Sequence, residues 1–333
     1  MHCAESLVLP LENMHDQETK TYEENIPSGA FQVKTPGSHP CDIMHYVSAF
    51  SKRELTFPDD KFNAMEGIFH VFKRSPQPVH QIQGVPILPQ IYQSRLSRPY
   101  LNIPRSVDKS FLVGLTWYHS SPGTRNYFFP SWSWVGWTGE VDPYLKFFSP
   151  WESSLEDTTV SIEQAFTGAP LPFPEIEYLA SDDSHSPSHE ELWGDQKFIH
   201  ITAKTFSCSS IHESVWSSLD SVSRLAAPKG RYVRLPVEEG TSICVEVKLD
   251  KELGELELPE QKMTGILVGD VRKGRKIVVL SVEELNSQAE RIGIGSFGDS
   301  SSVEIGDKWR PLQDEIFVKW ANENLKQRTI MLG

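Results

Sequence analysis

The hydrophobic positions of this chain change period along its length. Ile43, Tyr46, Val47 and Phe50 fall at i, i+3, i+4 and i+7, so one helix face carries all four. Phe62, Met65, Ile68, Phe69 and Phe72 restart the stripe and predict a second helix. Thr56 is expected to cap it, Pro58 to occupy its first turn, and Asp59 and Asp60 to oppose the positive helix end. Lys73 and Arg74 mark its other pole, before "SPQP" stops it. From residue 198 onward the period becomes two. "FIHITAKTF", "RYVRLPV", "SICVEVKL", "GILVGDV", "KIVVLSV", "ERIGIGSF" and "RTIMLG" read as strands separated by turn residues. They predict an antiparallel sheet, sandwich or partial barrel.

Between these regions the pattern is weaker. Residues 75–110, rich in Pro and Gln, read as an irregular connection with short extended pieces such as "GVPILPQIY". "FLVGLTWY" is apolar throughout and fits a buried helix or a strand. Within "SIHESVWSSLDSV", Ser210 and Glu213 form a capping-box pattern and Ile211, Val215, Leu219 and Val222 line up at helical spacing, which predicts a helix among the strands. A chain of 333 residues exceeds the usual size of one core. The predicted fold is therefore α+β, a small N-terminal helical unit packed on a β-rich, sandwich-like C-terminal unit. Its parts are a poorly ordered tail (1–40), a helical unit ending in a tryptophan-rich junction (41–148), an acidic Ser/Pro-rich surface excursion (149–197) and the β-rich unit (198–333).

Charge narrows the choice of partners. Thirty-two basic against 45 acidic residues give a net charge of −13, which repels phosphate backbones and anionic lipid, so nucleic acid is not expected. The dense basic cluster Arg272, Lys273, Arg275 and Lys276 reads as a charged hairpin tip. No apolar run approaches the ~20 residues that cross a bilayer. The N-terminus lacks a secretory pattern, and the four cysteines show no CxxC spacing. An intracellular, cytoplasmic protein is expected.

Candidate chemistry is sparse. Gly293, Gly295 and Gly298 satisfy GxGxxG, but "DSSSVEIGD" follows where an apolar helix would have to hold a pyrophosphate, so the glycines read as a strand end. His185 and His189 have zinc-like spacing, but Pro187 between them opposes a helix. No nucleophile elbow, P-loop or HExxH occurs; no catalytic residue, cofactor or metal is predicted. The segment "SWSWVGWTG" stands out. If extended, it points Trp132 and Trp134 to one face and Ser131, Ser133 and Val135 to the other, with Gly136 and Gly139 freeing the backbone around Trp137. Buried, such indoles anchor two layers; exposed, they would stack on sugars or form a protein hot spot. The preceding Phe128 and Phe129 favour the core reading.

Two stretches carry a family resemblance. In "VSAFSKRELTFPDDKFNAMEGI", residues Val47, Phe50, Ser51, Arg53, Leu55, Thr56, Pro58, Asp60, Ala64, Gly67 and Ile68 resemble the segment that follows the core of fungal heterokaryon-incompatibility (HET) proteins. "FPSWSWVGWTGEV" is similar to their Pro-Ser-Trp-Ser-Trp signature, and "RIGIG" with "RTIMLG" is similar to their C-terminal region. The family's core, expected ahead of Arg53, has no counterpart in the roughly 40 unpatterned residues there, as in a truncated gene product or a core-less paralogue. The resemblance implies a role in non-self recognition and cell death after fusion of unlike cells. The core has been likened to a fold some of whose members process NAD, and no residue here inherits that activity. The expectation is a non-catalytic accessory region that binds a protein partner, with Trp132, Trp134, Trp137, Arg53 and Asp60 as candidate structural or interaction residues, and with Arg53 either paired to an acid such as Asp60 to fix the turn between the helices or left as a solvated guanidinium. A carbohydrate-binding module using exposed tryptophans, and an enzyme with a dispersed site such as NAD cleavage, are the alternatives.

Overall fold

A computed structural model describes residues 37, 40–57, 60–89, 106–143, 158–163, 170–172, 197–208, 211–213, 230–252, 263–271, 275–283, 288–297, 301–305 and 308–333. The tail, apart from Gly37 and Pro40, lies outside them, as do His185 and His189.

Both helical stripes form helices. In α1 (Asp42–Ser51) Ile43, Val47 and Phe50 are buried, and in α2 (Lys61–Lys73) Met65, Phe69 and Phe72 are. The start of α2 differs from the expectation. Asp60, not Thr56, stands at the N-cap position and makes no side-chain capping bond, while Pro58 and Asp59 lie outside the described residues. The reason is tertiary: the Lys61 side chain is drawn into the protein and donates to the Trp134 and Trp137 carbonyls, which fixes where the helix begins.

The stretch expected as an irregular connection holds a hairpin, β1 (His80–Ile82) and β2 (Val85–Ile87). Its two-residue turn, Gln83–Gly84, has φ of 49° and 80°, the geometry that matches strand twist in tight hairpins. "FLVGLTWY" is divided. It is helical to the end of α3 (Val107–Gly114) and extended in β3 (Trp117–His119), which pairs with β4 (Val141–Pro143). Gly114 lies so close to the Pro86 carbonyl that any side chain there would collide with it. The stretch 149–197, expected as a surface excursion, contributes β5 (Thr159–Glu163) and β6 (Pro170–Pro172), because Val160 packs in the main core beside Ile199 and Ile201.

The C-terminal half builds the sheet. Its strands are β7 (Ile199–Cys208), β8 (Ile211–Glu213), β9 (Arg231–Glu238), β10 (Thr241–Leu249), β11 (Met263–Val271), β12 (Arg275–Glu283), β13 (Gln288–Phe297), β14 (Ser302–Ile305) and β15 (Lys308–Pro311), followed by α4 (Asp314–Asn324) and β16 (Lys326–Leu332). The fold is α+β with a large, mainly antiparallel sheet. Strands β7, β11, β12, β13 and β16 pair in a closed circuit, with β13–β16 its one parallel contact among the described residues. Strand β10 joins β13 to a flank of β8, β9, β14 and β15. Two predictions from the sequence fail here. Ile211–Glu213 is a strand on β9 rather than a helix start, and part of the polar stretch after Gly298 pairs as β14 instead of turning.

The sheet separates two cores, and β11 and β12 serve both. Ile266, Val268 and Val279 pack with α3 and Trp132, while Leu267, Val278 and Leu280 pack with Trp320 of α4. Burial on both faces explains the unbroken apolar runs "GILV" and "IVVL". A third core joins α1 and α2 to Trp134 and Trp137.

Gly293 sits inside β13, where a β-carbon would lie 2.5 Å from the Lys248 carbonyl oxygen, so the glycine serves close strand approach. Gly293→Ala is expected to lower stability by about 1–3 kcal/mol in urea unfolding. Gly67→Ala, in α2 with open space around it, is expected to raise stability by roughly 0.5–1 kcal/mol. Equal effects would contradict this account.

Candidate functional site

The tryptophan segment is not extended. Ser133 caps a single 3-10 turn, Trp134–Gly136, with its hydroxyl accepting from the Val135 N–H at 3.1 Å. The turn sends Trp132 and Trp134 into different cores instead of onto one face. Trp132 meets Phe111 edge-on at 5.7 Å, and Trp134 meets Phe50 at 6.3 Å. Trp132, Trp134 and Trp137 are 0, 1 and 0% exposed. Each indole N–H finds a backbone carbonyl: Trp132 reaches Lys197 (3.1 Å), Trp134 reaches Gly84 (2.6 Å) and Trp137 reaches Ser131 (2.8 Å). Trp117 donates likewise to the Trp132 carbonyl at 3.1 Å. Buried indoles with satisfied N–H groups are structural anchors, each removing on the order of 150–250 Å² from water.

Beneath them lies a charged cluster that pattern reading missed. Arg291, in β13, is 1% exposed, and Asp250, just beyond β10, is 0% exposed. The Arg291 Nε donates to Asp250 Oδ2 at 2.9 Å, and its terminal nitrogens donate to the carbonyls of Leu115 (2.7 Å) and Trp117 (2.5 Å). The guanidinium carbon lies 3.4 Å from the centre of the Trp117 ring. Burial pulls Arg291 below its ordinary pKa, and Asp250 offsets part of that fall. Asp250 Oδ1 lies 3.1 Å from His119 Nδ1, which fits a ring carrying its proton on Nδ1. His119 Nε2 is buried without a hydrogen-bond partner among the described residues. It faces the backbone of Gly123 and Gly139. The one sequence signal for the cluster was a lone Arg inside the otherwise small and apolar "RIGIG".

Ser131 completes the joint. Its N–H donates to the Gly333 carbonyl at 2.7 Å, its hydroxyl also contacts that oxygen, and the Arg291 N–H donates to the hydroxyl at 2.9 Å. The Gly333 N–H in turn donates to Ala289 at 3.0 Å. Nearby, Glu290 accepts from Lys251 at 2.7 Å and faces Arg125 at 3.3 Å.

Above this joint opens a cleft of about 580 Å³ lined by residues 51–55, Lys61, Asn126 and residues 138–140. Arg53 is exposed on its wall, and Asp60 is exposed at the start of α2. Lys61 is 6% exposed; its amine donates to the Trp134 carbonyl at 3.3 Å and to that of Trp137, and lies 4.9 Å from the Trp134 ring centre. The carbonyls and ring favour the ammonium, but burial outweighs them and brings the Lys61 pKa down to about 7. Burial pushes the free thiols of Cys41, Cys208 and Cys244 up to about 12, so none of the three is a thiolate at neutral pH. Among the described residues, no group of His, Cys, Asp and Glu is arranged to hold a metal ion, and no helix is long and apolar enough to cross a membrane.

Comparisons of the chain with protein-family models, curated proteins and solved structures found no significant match.

Two measurements test this description. Removing one partner of the buried pair, by Arg291→Met or Asp250→Asn, is expected to cost about 3–5 kcal/mol in denaturant unfolding, with much of it recovered in an Arg291→Met/Asp250→Leu double variant. Second, because folded Lys61 releases its proton near pH 7 and the unfolded lysine near 10.5, the unfolded state binds more protons between these values and stability rises with pH across that window. Lys61→Met should lose that rise; parallel stability curves would contradict it.

Proposed function

We propose that this chain is a non-catalytic accessory region that binds a protein partner through the loops bordering the cleft, in an incompatibility-type pathway such as the HET resemblance implies. The observation that carries the reading is a set of three exposed aromatics adjacent in sequence to cleft residues. Phe57, Tyr127 and Phe128 are 67, 78 and 70% exposed, whereas the tryptophans behind them are sealed in. Phe57 lies between the cleft residues Leu55 and Lys61, and Tyr127 and Phe128 directly follow the cleft residue Asn126. Arg125 stacks on Tyr127 with 5.0 Å between guanidinium carbon and ring centre. Exposed aromatics beside arginine on a pre-organised surface have the composition of interface hot spots.

The resemblance gains physical support from where its motifs meet. Phe50 and Ser51 of the first motif touch the second, through the Trp134 ring and a 2.9 Å bond from the Val141 N–H to the Ser51 hydroxyl. The third and fourth motifs meet it through Arg291 and Gly333 at Ser131. Motifs far apart in sequence thus form one joint. The reading is an intracellular one, supported by the free thiols of Cys41, Cys208 and Cys244. The sugar-platform reading loses its basis in Trp132, Trp134 and Trp137, whose rings are covered.

A Tyr127→Ser/Phe128→Ser variant separates binding from folding. It is expected to unfold within about 0.5 kcal/mol of the wild type, because both side chains are exposed, yet to lose the partners that co-purify with the wild type from the source cells. Retention of every partner by a folded variant would refute the reading.

A further inference from the structure

We propose that the Lys61 amine is a covalent acceptor for a small carbonyl compound bearing an anionic group, a 2-oxo acid or an acidic aldehyde, held as an imine in the cleft between the α1–α2 turn and residues 126–140. The proposal stands apart from partner binding.

Three features of the site support it. The first is placement: Lys61 is 6% exposed and lines the cleft. The second is the set of groups around it: the Trp134 and Trp137 carbonyls accept N–H bonds from the amine and fix its position. No ion pair to a carboxylate holds Lys61 among the described residues. Asp60 precedes it on its own element; Lys52, Arg53, Glu54 and Glu140 face the same cleft, and Lys52 and Glu140 pair at 2.6 Å. Lys61 also opens α2, where the positive end of the helix disfavours an ammonium and favours an anionic guest. Burial completes the tuning by lowering the amine to about pKa 7, which leaves about half of it unprotonated at neutral pH.

The third feature is the wall. The Arg53 guanidinium, exposed on that wall, matches a carboxylate in charge and shape. In the reaction Nζ adds to the carbonyl carbon. The carbonyl oxygen then leaves as water with the two amine protons, and a C=N bond replaces C=O. No oxidant or metal enters the balance.

The wild-type protein tests this without a folding variant. It is treated briefly at pH 7 with glyoxylate and cyanoborohydride, and each lysine is quantified by peptide mass spectrometry. An ordinary lysine has on the order of one amine in two thousand unprotonated at pH 7, so Lys61 is expected to be carboxymethylated at least about tenfold more than exposed Lys52 or Lys319. Arg53→Gln should reduce glyoxylate labelling of Lys61 several-fold and leave its labelling by propanal, which carries no anion, unchanged. Labelling that simply follows exposure, with Lys61 among the last, overturns the proposal; so does an equal response of the two aldehydes to Arg53→Gln.

Discussion

A guanidinium removed from water in the middle of the molecule is the constraint on which the rest depends. Stripping Arg291 of solvent costs several kcal/mol unless its donors and charge are met. Asp250 meets the charge, and the Leu115 and Trp117 carbonyls meet the remaining donors. Leu115 closes α3, so its carbonyl is one of the groups a helix leaves unpaired, at the pole where a cation is favoured. The same side chain thus satisfies the end of a helix, covers the face of Trp117 and fixes β13 to β3. None of these partners can move alone without stranding a buried polar group.

The tryptophan segment extends this joint to the helices. Its 3-10 turn divides the three indoles between two cores, Trp132 in one and Trp134 and Trp137 in the other, and each N–H bond closes on a separate piece of backbone. The buried Trp137 carbonyl needs a donor in this arrangement, and Lys61 supplies it while also reaching the Trp134 carbonyl. The perturbed amine is therefore a by-product of how the turn is held.

What the sequence revealed follows from the range of the forces involved. Amphipathic stripes and alternating strands are local, and α1, α2 and the seven strands named from residue 198 onward could be read directly. Tertiary pairing decided the rest. Ile211–Glu213 has a helix-start pattern, yet the edge of β9 claims it; β14 looks polar because Glu304 reaches across to Arg234 at 2.7 Å. Helix α4 was missed although Asp314 and Glu315 open it, since its buried contact rests mainly on Trp320. At the joint, burial of Trp132, Trp134 and Trp137 was foreseeable from their bulk, but their directions were not. Asp250 and His119 lie 131 positions apart, and nothing in their local sequence announces the contact.

Native-state hydrogen exchange tests most directly whether the buried arginine makes the helices and the sheet one cooperative body. The amides of α1, α2 and β13, together with the joint amides of Gly123, Asp250 and Gly333, are predicted to share a single opening free energy equal to that of global unfolding. Exchange of the α1 and α2 amides through a distinct, lower-energy opening, while β13 stays protected, would contradict the account.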